Sequence, residues 1–252
     1  MTSPTLDFLV RSAREFRRGG WVFTGFHWPV LAGQLAHSLE GEPFVQVFEA
    51  GGGTWTAGTS VPTSTTDYPA YAGGIGWIAS TADVLLAMAR RFDRVVLDAS
   101  NVDLAGRVNS SFVGDRDRPA VRLPGGGGAP DIAARARELV LLHGGEDLGR
   151  IQAEVEHVTA APGAETIVWL HTRWGVLRLG ARPRLVELAR DVPGAHEFSG
   201  HLRGLGVRVD APVPRAPISE AERRAAAGLL AEAAGRGYAV ARRARAELEG
   251  VA

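Results

Sequence analysis

Glu49 stands directly after the apolar run Phe44-Val45-Gln46-Val47-Phe48 and directly before Ala50 and three glycines, Gly51-Gly52-Gly53. A carboxylate at the end of a strand, beside residues without side chains that allow another molecule to approach, is placed to act as a nucleophile. The same placement also suits an acid that caps a helix or solvates a loop. A second feature is Gly125-Gly126-Gly127-Gly128 ahead of Ala129, Pro130 and Asp131, where a helix is expected to start near Ile132. Its consecutive backbone N–H groups can cradle a phosphate or a developing oxyanion. A surface turn explains the same letters, and the lysine of a phosphate-binding P-loop is missing. Third, Asn101 and Asn109 flank Asp103 and Gly106. A side-chain amide there can donate to an oxyanion or a ligand, or close an Asx-turn.

Composition removes many alternatives. The 252 residues contain no cysteine, and all 28 basic side chains are arginine. Thiolate nucleophiles, disulfides and Cys-bound metals are thereby excluded, as are lysine Schiff bases. The seven histidines show no compact ligand spacing, so no metal is expected, and the glycine runs do not form a dinucleotide fingerprint. With 28 acids against 28 bases, no net field recruits nucleic acid or an anionic membrane. No apolar run approaches the roughly 20 residues of a spanning helix. Met1 to Asp7 lack the basic-then-apolar pattern of a secretory signal, so the expected location is the cytoplasm.

The elements that must position these residues follow from periodicity. Leu6, Leu9, Val10, Ala13 and Phe16 recur at helical spacing and lead to a Gly19-Gly20 stop. A strand over Trp21–Phe23 and a helix over Val30–Leu39 precede the strand ending at Glu49. Residues 51–79, rich in Gly, Thr, Ser and Pro with Trp55, Tyr68, Tyr71 and Trp77, read as a long binding loop. Ser80 can cap a helix to Phe92, and Arg94–Asp98 is a strand. Residues 101–110 are polar and turn-rich. Glu138–Leu142 and Thr166–His171 suit buried strands, with Gly175–Leu179 as an edge hairpin partner. Residues 218–248 are helical, opened by Ser219 with Glu222 three positions on and broken near Gly235–Gly237. Strands alternating with helices imply a single α/β domain: a three-layer, open, largely parallel sheet with helices on both faces, where ligands collect at strand carboxyl ends.

Taken in order, the features form a pattern: Glu49-Ala50-Gly51 after a strand, Asn101-Val102-Asp103 with Gly106-Arg107-Val108-Asn109-Ser110, then Gly114-Asp115, Pro119 and Gly125–Ala129. From about residue 7 to 212 it resembles the β subunit of family I CoA-transferases, nearest to that of the glutaconate CoA-transferases. The resemblance implies a NagB-like α/β fold and an enzyme that moves CoA between an acyl-CoA and a carboxylic acid. Glu49 would attack the thioester and carry CoA as a glutamyl-CoA thioester, a covalent route open to a carboxylate. Asn101 and Gly128 occupy the family's side-chain and backbone positions for stabilising the oxyanion. Gly125, Gly126, Gly127, Ala129 and Asn109 would line the CoA site, with CoA a substrate and no tightly bound cofactor. An α subunit in a heteromer would complete the active site. Arginines would hold the CoA phosphates.

This chain departs from the family in three places: Ala50 replaces the usual Ser, Arg107 stands where Asn is usual, and Pro162-Gly163 passes almost directly to the next strand. Two other readings stay open on these residues. One is hydrolysis of a CoA thioester, or of a carbon–carbon bond, on the same scaffold. The other is a structural partner without catalysis.

Overall fold

The computed structural model of the protein describes residues 3–249. In chain order the elements begin α1 (Pro4–Phe16), β1 (Arg18–Thr24), α2 (Trp28–His37), β2 (Glu42–Phe48), β3 (Gly52–Thr54), α3 (Pro69–Ala72), β4 (Ile75–Ile78) and β5 (Arg94–Asp98). Four short strands follow, β6 (Asn101–Asp103), β7 (Val108–Asn109), β8 (Phe112–Gly114) and β9 (Pro119–Arg122). Then come α4 (Ala129–Arg135), β10 (Glu138–His143), β11 (Ile151–Gln152), β12 (Ile167–Thr172), β13 (Gly175–Leu179), β14 (Arg184–Leu188), α5 (Ala195–Gly204), β15 (Val213–Pro214), α6 (Glu220–Gly235) and α7 (Ala239–Glu249). They divide into two compact units, residues up to Val96 with those from Ala216 onward, and Leu97–Arg215. Among the described residues no helix is long and apolar enough to cross a membrane.

In the first unit β1 runs parallel to β5 and to β2, with Trp21 opposite Val45 and Thr24 opposite Phe48. These are the apolar runs expected to be buried strands, and Val22, Phe23, Val45, Val47 and Phe48 are all buried. The α1 helix starts where Ser3 accepts from the Leu6 N–H and Pro4 occupies the first turn. Its Leu6, Leu9, Val10, Ala13 and Phe16 are all buried, as the spacing predicts. The helix ends at Phe16, before the two glycines, which lie inside β1. α6 opens with the expected capping box, Ser219 paired with Glu222. The Glu222 carboxylate also meets Arg14 and Arg17 of the first helix region, each at 2.9 Å. Burial alone would raise the Glu222 pKa, but the bonds from Arg14 and Ser219 overcome it and hold the pKa at about 2.

Residues 51–79 are not the irregular binding loop that their composition suggests. They form β3, α3 and β4, with β3 antiparallel to both β2 and β4. The aromatics cover glycines. The Trp77 indole lies where a side chain on Gly53 would be, Trp55 where one on Gly76 would be, and Tyr71 where one on Gly52 would be. Trp77 also stacks on Trp21, with ring centroids 5.5 Å apart. A glycine in a strand leaves bare backbone, and an aromatic ring from a neighbouring segment fills that gap. The segment expected to continue as a regular helix to Phe92 tightens instead into a π-type turn over Asp83–Ala87 and a 3₁₀ turn at Ala89–Arg91. Ser80 still caps it, accepting from the Asp83 N–H at 3.1 Å.

In the second unit the strand order is β15-β14-β13-β12-β10. β10 and β12 are parallel, while β13 is antiparallel to both of its neighbours. β13 is thus an interior strand, not the expected edge, because Arg184–Leu188 supplies a further strand beside it. The polar stretch 101–110 is a hairpin of β6 and β7, with β11 parallel to β6. Its turn is organised by the buried Asp103 carboxylate, which accepts from the backbone N–H groups of Ala105 and Arg107, both at 3.0 Å, and from Arg107 Nε at 2.7 Å.

One titratable group in the first unit has a consequence for stability. The His37 imidazole stacks on Phe44 with centroids 4.1 Å apart, and burial lowers its pKa from 6.5 to about 4. Between those values the unfolded chain takes up a proton that the folded one refuses. This site therefore removes stability as pH falls from about 6.5 toward 4. Urea midpoints at pH 7 and pH 4.5 should differ less in His37→Phe than in wild type; an equal difference would mean that His37 is not the group responsible.

Candidate functional site

Glu49 is the first residue beyond β2 and sits in the turn that folds β2 back onto β3. The Gly51 N–H closes this turn on the Phe48 carbonyl at 3.0 Å. With Phe48 opposite Gly52, the loop is three residues long and ends on Gly51 at φ +101. Hairpin loops of this length favour glycine at that last position, because other residues are strained at positive φ. Gly51 is constrained in a second way, since a side chain there would overlap the Ala79 carbonyl. Ala79 in turn donates its N–H to the Gly51 carbonyl at 2.6 Å. The glycines after Glu49 thus admit the protein's own Ala79, Tyr71 and Trp77, rather than the approaching ligand that the sequence suggested. The Glu49 side chain is half-buried, and among the described residues no hydrogen bond or ion pair engages its carboxylate.

The second unit brings the remaining candidates into one hydrogen-bonded group. Asn101 opens β6, is buried, and donates from Nδ2 to the Asn109 carbonyl at 3.0 Å. Arg150 donates to Asn101 Oδ1 at 3.2 Å. A primary amide has two N–H donors, so one on Asn101 remains for a ligand. A cation on the amide oxygen also polarises that donor. Asn109 uses its own amide locally, donating to the Phe112 carbonyl at 2.7 Å and accepting from Ser111 N–H at 3.0 Å. That is the Asx-turn arrangement expected as one of its two possible roles.

The glycine run is tied to this hairpin. Gly125 N–H donates to the Ser110 carbonyl at 2.7 Å. Gly126 packs on Thr159, whose Cγ2 would lie 2.8 Å from a Cβ there. Gly128 is the buried N-cap of α4, with its carbonyl accepting from Ile132. Among the described residues the N–H groups of Gly126, Gly127 and Gly128 have no hydrogen-bond partner, whereas Ala129 N–H is already bound to the Gly126 carbonyl at 2.9 Å. The run therefore presents free amide donors up to Gly128, and the Ala129 amide is spent.

Three further residues organise this group and carry no motif that would single them out in the sequence. Thr159 Oγ1 accepts from Ser110 N–H at 3.0 Å and pairs with Ser111 Oγ at 2.7 Å, joining the β7 end to the glycine loop. Arg150 supports Asn101, as described above. His143, at the carboxyl end of β10, contacts the Ala99 carbonyl through Nδ1 at 2.8 Å and so steadies the turn leading into Asn101. Burial lowers the His143 pKa, which keeps the ring neutral, so Nδ1 carries the donated proton. The only sequence signal for this residue is its place at the end of an apolar strand.

A mixed α/β chain with parallel strands, a carboxylate at a strand-end turn and a glycine loop entering a helix has the fold of the CoA-transferases. Glutaconate coenzyme A-transferase from Acidaminococcus fermentans superposes with a TM-score of 0.75 at 18% identity, over 94% of this chain and 97% of that one. The decarboxylase AibA/AibB superposes with a TM-score of 0.71 at 23% identity, over 88% of this chain and 92% of that one. In sequence, the chain is 32% identical over 142 residues to the β subunit of 3-oxoadipate CoA-transferase from Pseudomonas knackmussii, a stretch covering 53% of this chain. The chain spans about half (51%) of the length of that curated relative. No family model matches. The family I CoA-transferase β subunit whose pattern the sequence resembles is thus also what these comparisons point to.

The two loop glycines should respond differently to substitution. Gly51→Ala adds a clash with Ala79 to the cost of positive φ, whereas Gly125, at φ +96, has nothing within 4 Å of an added Cβ. Gly125→Ala should cost about 1–2 kcal/mol from strain alone, and Gly51→Ala distinctly more. Thermal melts of the two variants would show this as a larger fall for Gly51→Ala, and equal melting temperatures would contradict the role given to Ala79.

Proposed function

We propose that the chain is the β subunit of a CoA-transferase in which Glu49 carries CoA between an acyl-CoA and a carboxylic acid. The observation that carries this reading is the Glu49 carboxylate, set on a rigid turn and engaged by no protein donor among the described residues, in a chain with the CoA-transferase fold. A nucleophile of this kind needs a fixed position and free lone pairs, and the β2–β3 turn supplies both.

A Glu49 oxygen adds to the thioester carbonyl, the carbon–sulfur bond breaks, and a mixed anhydride and CoA thiolate result. The thiolate then adds to the glutamyl carbonyl of that anhydride and expels the first carboxylate, leaving glutamyl-CoA thioester. The acceptor carboxylate attacks this thioester, and the same two steps run in reverse. No proton is transferred at any stage, so no general base is required. Each addition places negative charge on a carbonyl oxygen. The unspent Asn101 N–H and the free Gly128 N–H are the donors proposed to stabilise it. Asn109, Gly125, Gly126, Gly127 and Ala129 shape the surrounding loop, with Gly125 bonded to Ser110 and Ala129 to Gly126. In this reading CoA is a substrate and a separate α subunit is the partner, since the 3-oxoadipate relative is itself named as one subunit of its enzyme.

The decarboxylase AibA/AibB shares the fold, which keeps a second chemistry on this scaffold in view. Its solved forms include variants with a replaced cysteine, a residue type this chain lacks entirely. With an α subunit present, Glu49→Ala should lower CoA transfer by at least about a thousandfold while the fold is kept, in line with loss of a covalent nucleophile. Full transfer activity in that variant would sink the proposal. Labelled water distinguishes the outcomes further, since label entering the product acid in step with turnover would indicate hydrolysis rather than transfer.

A further inference from the structure

Helix α5 presents His196, Ser199 and Arg203 at spacings of three and four residues, which puts them on one face. That face forms one side of a cavity of about 420 Å³, closed by the end of β14 with Arg190 and by residues 209–212 ahead of β15. Arg190, His196 and Arg203 are exposed, and none makes a hydrogen bond or ion pair among the described residues. No aspartate or glutamate lines the cavity. The nearby acids face elsewhere or are engaged, Asp210 being paired with Arg208 at 3.3 Å, while Asp191 and Glu197 lie outside the lining. The Ser199 hydroxyl is committed to the Ala195 carbonyl at 2.9 Å, leaving the arginines and the imidazole as the donors. Leu188, Val209 and Pro212 give the cavity an apolar wall. At its lip Ala211 holds φ +43, a strained conformation for a residue with a side chain.

We infer that this cavity binds a phosphate-bearing small molecule, its phosphate held by Arg190 and Arg203 and its organic part lying against the apolar wall. Guanidinium groups match phosphate oxygens two at a time and stay charged at all working pH values. The volume lies in the range of small-molecule sites. Both a free phosphate compound and CoA itself, through its phosphates, carry this chemistry. The site makes no use of Glu49, so it stands or falls separately from the proposed acyl transfer.

Calorimetric titration of the full chain at low ionic strength, with inorganic pyrophosphate and separately with CoA, tests it. Exposed arginines can be replaced without emptying a core, and Arg182→Ala, an exposed arginine outside the cavity, controls for general surface charge. Saturable pyrophosphate binding that weakens at least tenfold in the Arg190→Ala/Arg203→Ala double variant, and is unchanged in Arg182→Ala, is the expected result. A parallel loss of CoA affinity would assign the phosphates to CoA, and CoA affinity left intact would assign the site to a free phosphate compound. Absence of binding by either probe, affinities unchanged in the double variant, or an equal loss in Arg182→Ala would overturn the inference.

Discussion

The closure of β2 onto β3 at Glu49-Ala50-Gly51 is the constraint from which the candidate site follows. One backbone hydrogen bond, Gly51 N–H to the Phe48 carbonyl, turns a buried parallel strand outward into an antiparallel ribbon. Gly51 must take positive φ for that turn, and must lack a side chain because the Ala79 carbonyl occupies the space. The consequence for Glu49 is geometric. Its backbone is fixed by a strand on one side and a locked glycine on the other, while its carboxylate is left to chemistry.

The second unit meets its own requirement differently, with buried polar groups instead of a tight turn. Asp103 satisfies the backbone of the β6–β7 turn, Asn101 crosses to the Asn109 carbonyl, and Thr159 ties that hairpin to the glycine loop. Buried polar groups are costly unless paired, and a fully paired network specifies one arrangement. The donors that remain unpaired within it, one Asn101 N–H and the amides of Gly126 to Gly128, are those an oxyanion could use. Their lack of protein partners is what one expects of groups kept for a ligand.

Much of the fold is legible in the sequence because its signals are local. The period of Leu6, Leu9, Val10, Ala13 and Phe16 reports a helix, the apolar runs at 44–48 and 138–142 report strands, and Ser219 with Glu222 reports a helix start. Residues 51–79 resemble a loop in sequence because their order comes from pairs separated along the chain. Trp77 is needed by Gly53, and Trp55 by Gly76, and neither pairing leaves a periodic trace. The same holds for the site. Glu49, Asn101 and Gly128 stand out only through a family pattern laid over short motifs. Thr159, Arg150 and His143 act through contacts 44 to 49 residues away and carry no motif of their own.

The central claim is that Glu49 becomes covalently bound to CoA. It is tested most directly by incubating the chain and its α subunit with an acyl-CoA, reducing with borohydride, and measuring the mass of the peptide containing Glu49. A thioester there is reduced to the alcohol, so the account predicts that this peptide alone loses about 14 Da, the replacement of a carboxylate by a hydroxymethyl group. An unmodified Glu49 peptide from a preparation that turns over acyl-CoA would contradict it.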